Sequence, residues 1–168
     1  MFESMFKIMR EDWKVLSECL ETMLNRDKYL LEKNVHEQTL STRLACYLSS
    51  YYETQEWWNY NVDCEYNRNF NNQKILENIS NKNGVRPDII IHKRWSNDDN
   101  LLVIEIKKDS NAEAQSWSDD EKLRWFTSSD DQYRYTYWVY LMFDTEGLKE
   151  YKIYKKGNII SSWERPNQ

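Results

Sequence analysis

Arg86-Pro87-Asp88-Ile89-Ile90-Ile91 is followed, seventeen positions after its aspartate, by Glu105-Ile106-Lys107. The two segments hold residue types able to bind an ion, at a spacing that lets them meet. Asp88 opens one apolar strand. Glu105 and Lys107 stand two residues apart near the end of another, Leu101 to Lys107. Between the strands lies Trp95-Ser96-Asn97-Asp98-Asp99-Asn100, rich in turn formers. A hairpin centred near Asn97 sets Asp88 opposite Glu105 or Ile106. Residues i and i+2 of a strand share a face, so Glu105 and Lys107 project on the side of Asp88. Two carboxylates and an ammonium at one open end of a sheet make a divalent-metal site with a cation beside it. Ordinary solvated strand ends also carry an aspartate or an alternating Glu/Lys pair. Glu105, however, interrupts an apolar run, and a buried carboxylate needs a partner or a metal to offset its desolvation.

The elements that must position these groups follow from periodicity. Phe2, Phe6, Met9, Trp13, Leu16, Leu20 and Met23 step by fours and threes, the stripe of a long amphipathic N-terminal helix. Packing on the domain's own sheet or second helix is one use of that stripe; pairing with a second copy or a partner subunit is the other. Asn25-Arg26-Asp27 breaks or bends this helix. A second helix is expected from about Glu37 to Tyr52, with Leu40, Leu44, Tyr47, Leu48 and Tyr51 inward. Glu37 lies one turn before Leu40 on that face. It serves either the helix N-terminus electrostatically or the ion site.

Trp57 to Arg68 reads as the first strand, with Tyr60, Val62, Cys64 and Tyr66 alternating against Asn61, Asp63, Glu65 and Asn67. A short helix fits Gln73 to Ile79, and Pro87 suits a strand's entry better than its middle. Ser118-Asp119-Asp120-Glu121 is a capping-box pattern opening a helix through Phe126. Tyr135 to Phe143 reads as a fully buried strand reached by a right-handed parallel crossover. Tyr151 to Tyr154 and Ile159 to Trp163, split by Lys156-Gly157-Asn158, read as a closing hairpin. The order is helix, helix, three strands, helix, strand and hairpin, an α/β domain with a mixed sheet.

Pro87-Asp88, a spacer and Glu105-x-Lys107 resemble the signature of the PD-(D/E)xK nuclease superfamily. The glutamate-bearing helix before the sheet, and the helix and apolar strand after Lys107, fit the same resemblance, which covers roughly Val35 to Phe143. It implies a restriction-endonuclease-like mixed β-sheet flanked by helices, with an extra N-terminal amphipathic helix. Residues 1–168 then form a single domain: a helical extension at 1–33, the nuclease-like core at 35–143 and a C-terminal hairpin at 150–164. It further implies hydrolysis of phosphodiester bonds in nucleic acid, DNA before RNA. Asp88 and Glu105 hold Mg²⁺ or Mn²⁺ with the Ile106 carbonyl and waters. Lys107 orients the attacking water or neutralises charge on the phosphate oxygens, and Glu37 contributes through a water or a second ion. A non-catalytic member of the same fold, acting as a binding or regulatory subunit, is the alternative. A third is an interaction protein using its aromatic surface.

Composition bounds the rest. A chain of 168 residues suits one domain, and 40% hydrophobic residues exclude wholesale disorder. The longest apolar run, Tyr137 to Phe143, is far short of a membrane span. Glu3, Glu11 and Asp12 interrupt the N-terminus, so no signal peptide is expected and a cytoplasmic location is. Cys19, Cys46 and Cys64 are widely spaced without a CxxC pair and read as reduced thiols. His36-Glu37-Gln38-Thr39-Leu40 lacks the second histidine of a zinc-protease HExxH motif. With three isolated glycines there is no glycine-rich phosphate loop. The net charge of −5 is unlike a typical nucleic-acid binder. Yet Arg86, Lys93, Arg94, Lys107 and Lys108 cluster near the site in sequence, with Lys122 and Arg124 on the next expected helix. Twelve tyrosines and eight tryptophans supply packing; Trp57-Trp58, Trp117 and Trp125 could instead stack on bases.

Overall fold

Two apolar runs fix the centre of the molecule. In the computed structural model, which describes residues 11–54, 59–69, 72–73, 86–109 and 133–166, they form β5 (Leu102–Lys108) and β6 (Tyr137–Asp144). The two lie parallel, in register from Leu102↔Tyr137 to Lys108↔Phe143. A strand covered on both faces needs apolar side chains at every position, and β6 is buried from Tyr137 through Phe143. The connection between them, including the expected 118–126 helix, lies outside the described residues.

Around this pair stand β1 (Asn61–Cys64), β4 (Ile89–His92), β7 (Gly147–Lys155) and β8 (Asn158–Glu164). The six-stranded order is β1-β4-β5-β6-β7-β8, antiparallel everywhere except between β5 and β6. The sheet is therefore mixed, as expected for an α/β domain. A separate two-stranded pair joins β2 (Arg68–Asn69) to β3 (Asn72–Gln73). Gln73 thus sits in a strand where a helix was expected to begin; 74–79 lie outside the described residues. Lys156 (φ 49°) and Gly157 (φ 73°) both take the left-handed conformation between β7 and β8. Two such residues form the tight turn that matches strand twist.

One face of the sheet is covered by α1 (Glu11–Arg26) and α3 (Glu37–Tyr52), with the short α2 (Lys28–Glu32) between them. Trp13, Leu16, Leu20 and Met23 are all buried, in a cluster with Leu40, Leu44 and Leu48 of α3 and Ile89, Ile91, Ile104 and Ile106 of the sheet. The described half of the N-terminal stripe is thus integral to the domain's own core; Phe2, Phe6 and Met9 lie outside the described residues. Trp13 meets Tyr137 edge-on at 5.2 Å, which sets α1 over β6. The break expected at Asn25-Arg26-Asp27 is present, and the Asp27 carboxylate accepts from Arg43 Nε at 3.1 Å and Tyr47 OH at 2.9 Å. This pins the turn to α3. Among the described residues no helix is long and apolar enough to cross a membrane.

The opposite face carries Ile90, Val103, Trp138, Tyr140, Met142 and Tyr154. Among the described residues the single strand expected over 57–68 is present only as the four residues of β1; Asn59 takes φ 49°, and Arg68 belongs to the separate pair. β1 ends at Cys64, and Glu65 takes φ 48°. The turn moves Tyr66 to this second face, where its ring lies 4.8 Å from His92, whereas Tyr60 and Val62 pack toward the helices. Trp57 and Trp58 lie outside the described residues.

Candidate functional site

The β4–β5 register pairs Ile89 with Ile104 and Ile91 with Leu102. One step outward, Asp88 stands opposite Glu105. Pro87 precedes it at the strand's entry, where the missing N–H costs no ladder bond. The Asp88 carboxylate continues the ladder itself: Oδ2 accepts from Ile106 N at 2.7 Å. Its backbone carbonyl accepts from Glu65 N at 3.2 Å. On structural grounds alone, an aspartate here satisfies a buried backbone donor.

Alternation along β5 sends Ile104 and Ile106 to the helix side and Glu105 and Lys107 to the face of Val103 and Ile90. Lys107 Nζ approaches Glu105 Oε1 at 3.2 Å, with both side chains mostly shielded (23% and 18% exposed). Glu37 arrives from the N-terminus of α3. Its Oε1 accepts from Lys108 N at 2.9 Å, which ties the helix start to the end of β5. Lys108 Nζ binds the Asn34 carbonyl at 2.8 Å. The side chain of His36, rather than Glu37, accepts from the amide of Gln38 at 3.3 Å at the helix cap. Glu37, Asp88, Glu105 and Lys107 are therefore gathered around the C-terminal end of β5, Asp88 held by the Ile106 N–H and Glu37 by the Lys108 N–H.

Two neighbours were not singled out in the sequence. Glu65 follows directly after β1. Its left-handed backbone turns it toward the site, where its Oε1 accepts from Gln38 Nε2 at 2.7 Å. A second group lies on the same sheet face, toward the other end of β4. Asp63 accepts from Arg94 Nε and an Arg94 terminal nitrogen at 2.9 and 2.7 Å, and contacts the buried His92 Nε2 at 2.8 Å. Burial alone would raise the Asp63 carboxyl, but the hydrogen bonds from His92 and Arg94 outweigh it and hold it well below the usual range.

Asp88 is shifted the other way. Burial raises its carboxyl above the ordinary range; the Ile106 N–H and the Lys107 charge pull it back, and the charges of Glu37 and Glu65 push it up again. Burial is the largest of these effects, and the carboxylates of Glu37 and Glu65 add to it. Among the described residues no three His, Cys, Asp or Glu side chains form a ready-made metal cluster. Magnesium does not require one: it is commonly held by one or two carboxylates with several waters retained. All donors offered here are oxygens, which suits Mg²⁺ or Mn²⁺ rather than a thiolate-seeking metal. Cys46 and Cys64 are free thiols; partial desolvation, with Cys46 and the carboxylates of Asp63, Asp88 and Glu65 nearby, pushes the Cys64 thiol up to about 11.

The chain matches no protein-family model and no curated protein.

Proposed function

We propose that this chain is a metal-dependent nuclease with a PD-(D/E)xK-type centre on a restriction-endonuclease-like sheet, hydrolysing phosphodiester bonds of DNA in preference to RNA. The observation that carries the proposal is the placement of Asp88 opposite Glu105, its carboxylate bonded to Ile106 N at 2.7 Å and Lys107 on Glu105 at 3.2 Å.

Asp88 and Glu105 would hold Mg²⁺ or Mn²⁺ through carboxylate oxygens, with the Ile106 carbonyl as a third donor. When bound, the ion supplies Lewis-acid charge for the phosphate and lowers the pKa of a coordinated water. The hydrogen bond from Ile106 N and the burial around Asp88 keep that carboxylate in one orientation, so little reorganisation is needed at the moment of reaction. Lys107 would neutralise charge that builds on the phosphate oxygens; an ammonium is not a ligand, so its removal leaves both carboxylates in place. Glu37, bonded to the amide of Lys108, fixes the end of β5 and adds negative charge to the ion's side of the site.

A second function is favoured by the net charge of −5, which is unlike that of a stand-alone nucleic-acid enzyme: a non-catalytic protein of the same fold, working as a subunit. Mg²⁺-dependent degradation of single-stranded DNA, duplex DNA and RNA by wild type, Lys107→Ala and Glu105→Ala separates the two. The nuclease is supported by cleavage that both substitutions abolish. Cleavage undiminished in Lys107→Ala refutes the assigned role of Lys107. Metal binding without cleavage of any substrate, with candidate partner subunits supplied, identifies the non-catalytic protein.

A further inference from the structure

Trp95 is 88% exposed, the most exposed of the large hydrophobic side chains among the described residues. Water is a costly environment for a ring of that size, and the turn that carries it is hydrogen-bonded throughout. In the turn between β4 and β5, Ser96 N donates to the Lys93 carbonyl at 3.1 Å and Asp98 N to Ser96 Oγ at 3.0 Å. The base of the turn is anchored by buried Asn100, whose Nδ2 donates to the Tyr133 carbonyl at 2.7 Å. Lys93 is pinned to Asp99 at 2.7 Å.

The residue before Trp95 is equally fixed. Arg94 is gripped at two nitrogens by Asp63, which is itself held by the buried His92. A guanidinium has five N–H donors, so this two-point grip orients Arg94 and leaves donors for a further acceptor. Arg94 is exposed. An exposed aromatic ring on a hydrogen-bonded turn, beside an oriented guanidinium, suits a nucleic-acid strand, with a base on the ring and a phosphate on the guanidinium.

An apolar protein partner fits less well. Among the described residues the other exposed large hydrophobics are Tyr29 on α2 and Ile159 on β8, and β5, β6 and β7 separate β8 from β4. Beside Trp95 in the turn stand Arg94, Ser96, Asn97, Asp98 and Asp99, so the ring stands on polar ground and does not belong to an apolar patch of interface size.

We propose that the β4–β5 turn grips the nucleic-acid substrate away from the scissile bond, Trp95 stacking on a base and Arg94 binding a phosphate. This rests on the nuclease function proposed above. Asp88 and His92 are separated by the length of β4, about 13 Å at roughly 3.3 Å per residue, and Trp95 lies beyond. At about 3.4 Å per stacked nucleotide the grip falls roughly five nucleotides from the bond to be cut.

The test is binding of labelled single-stranded DNA of 4 and 12 nucleotides, read by fluorescence anisotropy with Mg²⁺ present. The full chain carries Lys107→Ala to prevent cleavage. Adding Trp95→Ala should weaken the 12-mer about tenfold, the scale of one lost base–aromatic stack, and leave the 4-mer unchanged. Trp95→Phe should restore most of the loss, which excludes misfolding as its cause. Arg94→Gln should make 12-mer binding less salt-dependent, by about one phosphate contact. Equal 12-mer affinity with and without Trp95, in a parent that binds, overturns the grip, returns Trp95 to a protein partner and leaves the nuclease function standing. Equal weakening of both lengths overturns the assigned distance. Failure of the parent to bind either oligonucleotide overturns the grip, and the nuclease is then decided by the cleavage assay on single-stranded DNA, duplex DNA and RNA.

Discussion

Replacing Asp88 by asparagine should stabilise the metal-free protein at neutral pH while removing its affinity for a dication. Burial disfavours the ionised Asp88 carboxylate, and Glu37 and Glu65 add repulsion; the Ile106 N–H and Lys107 oppose them without cancelling them. Asparagine drops the charge and keeps an oxygen for the 2.7 Å bond from Ile106 N. The expected gain is on the order of 1 kcal/mol, or roughly 2–4 °C in Tm for a domain of this size. Alanine also drops the charge but strands the N–H of Ile106, a residue fully shielded from solvent, at a cost of about 1–3 kcal/mol relative to asparagine. The pH dependence has a fixed sign. Because the folded pKa lies above the unfolded one, the penalty on Asp88 is complete above the folded value. It shrinks as pH falls through that value and is gone below the unfolded value of about 3.9. The asparagine advantage must fade over that window. Saturating Mg²⁺ should reverse the order, since a ligand at 100 times its Kd adds about 2.7 kcal/mol to wild type alone. Denaturant unfolding from pH 7 to pH 4, in EDTA and in Mg²⁺, reads all of this. Asparagine no more stable than alanine at pH 7 in EDTA, or an advantage over wild type that is flat with pH, would refute the charge strain assigned to Asp88.

Asp63→Ala should cost about 2–3 kcal/mol in urea denaturation, mostly from leaving the buried His92 without its acceptor; the exposed Arg94 partner adds less than about 1 kcal/mol. Since the Asp63 carboxyl is held low, that contribution is present above about pH 4 and is lost as pH falls toward the folded value; a deficit that persists unchanged into strong acid would contradict it. Leu20→Ala, at a side chain with no exposed surface, should cost about 2–5 kcal/mol and leave the mass measured by light scattering unchanged. A switch in oligomeric state instead would place the N-terminal stripe in an interface between copies.

What was legible in the sequence was local. The bounds Glu37–Tyr52 of α3 follow from one amphipathic stripe, and β6 from one unbroken apolar run. Asp88 and Glu105 could be set opposite each other because a single short hairpin joins them. What escaped depends on contacts between distant segments. The Asp63–His92–Arg94 group exists only because β1 pairs with β4, which places Asn61 beside His92; nothing in either segment announces that register. The place of Glu65 beside the site was not legible because its left-handed backbone, φ 48°, ends the alternation expected over 57–68. β7 starts at Gly147, earlier than the expected Tyr151, because its pairing with β6 shifts register between Met142 and Phe143 and the bulge hides the alternation.

The direct measurement of the proposed centre is calorimetric titration of Mg²⁺, and separately Mn²⁺, into wild type, Asp88→Ala, Glu105→Ala and Lys107→Ala. The predicted result is a site in wild type that is retained in Lys107→Ala and lost in both carboxylate variants. Wild-type affinity should strengthen as pH rises through the elevated pKa of Asp88, because the proton and the ion compete for the same oxygens. No binding by wild type, or equal binding by all four proteins, would contradict an ion held between Asp88 and Glu105.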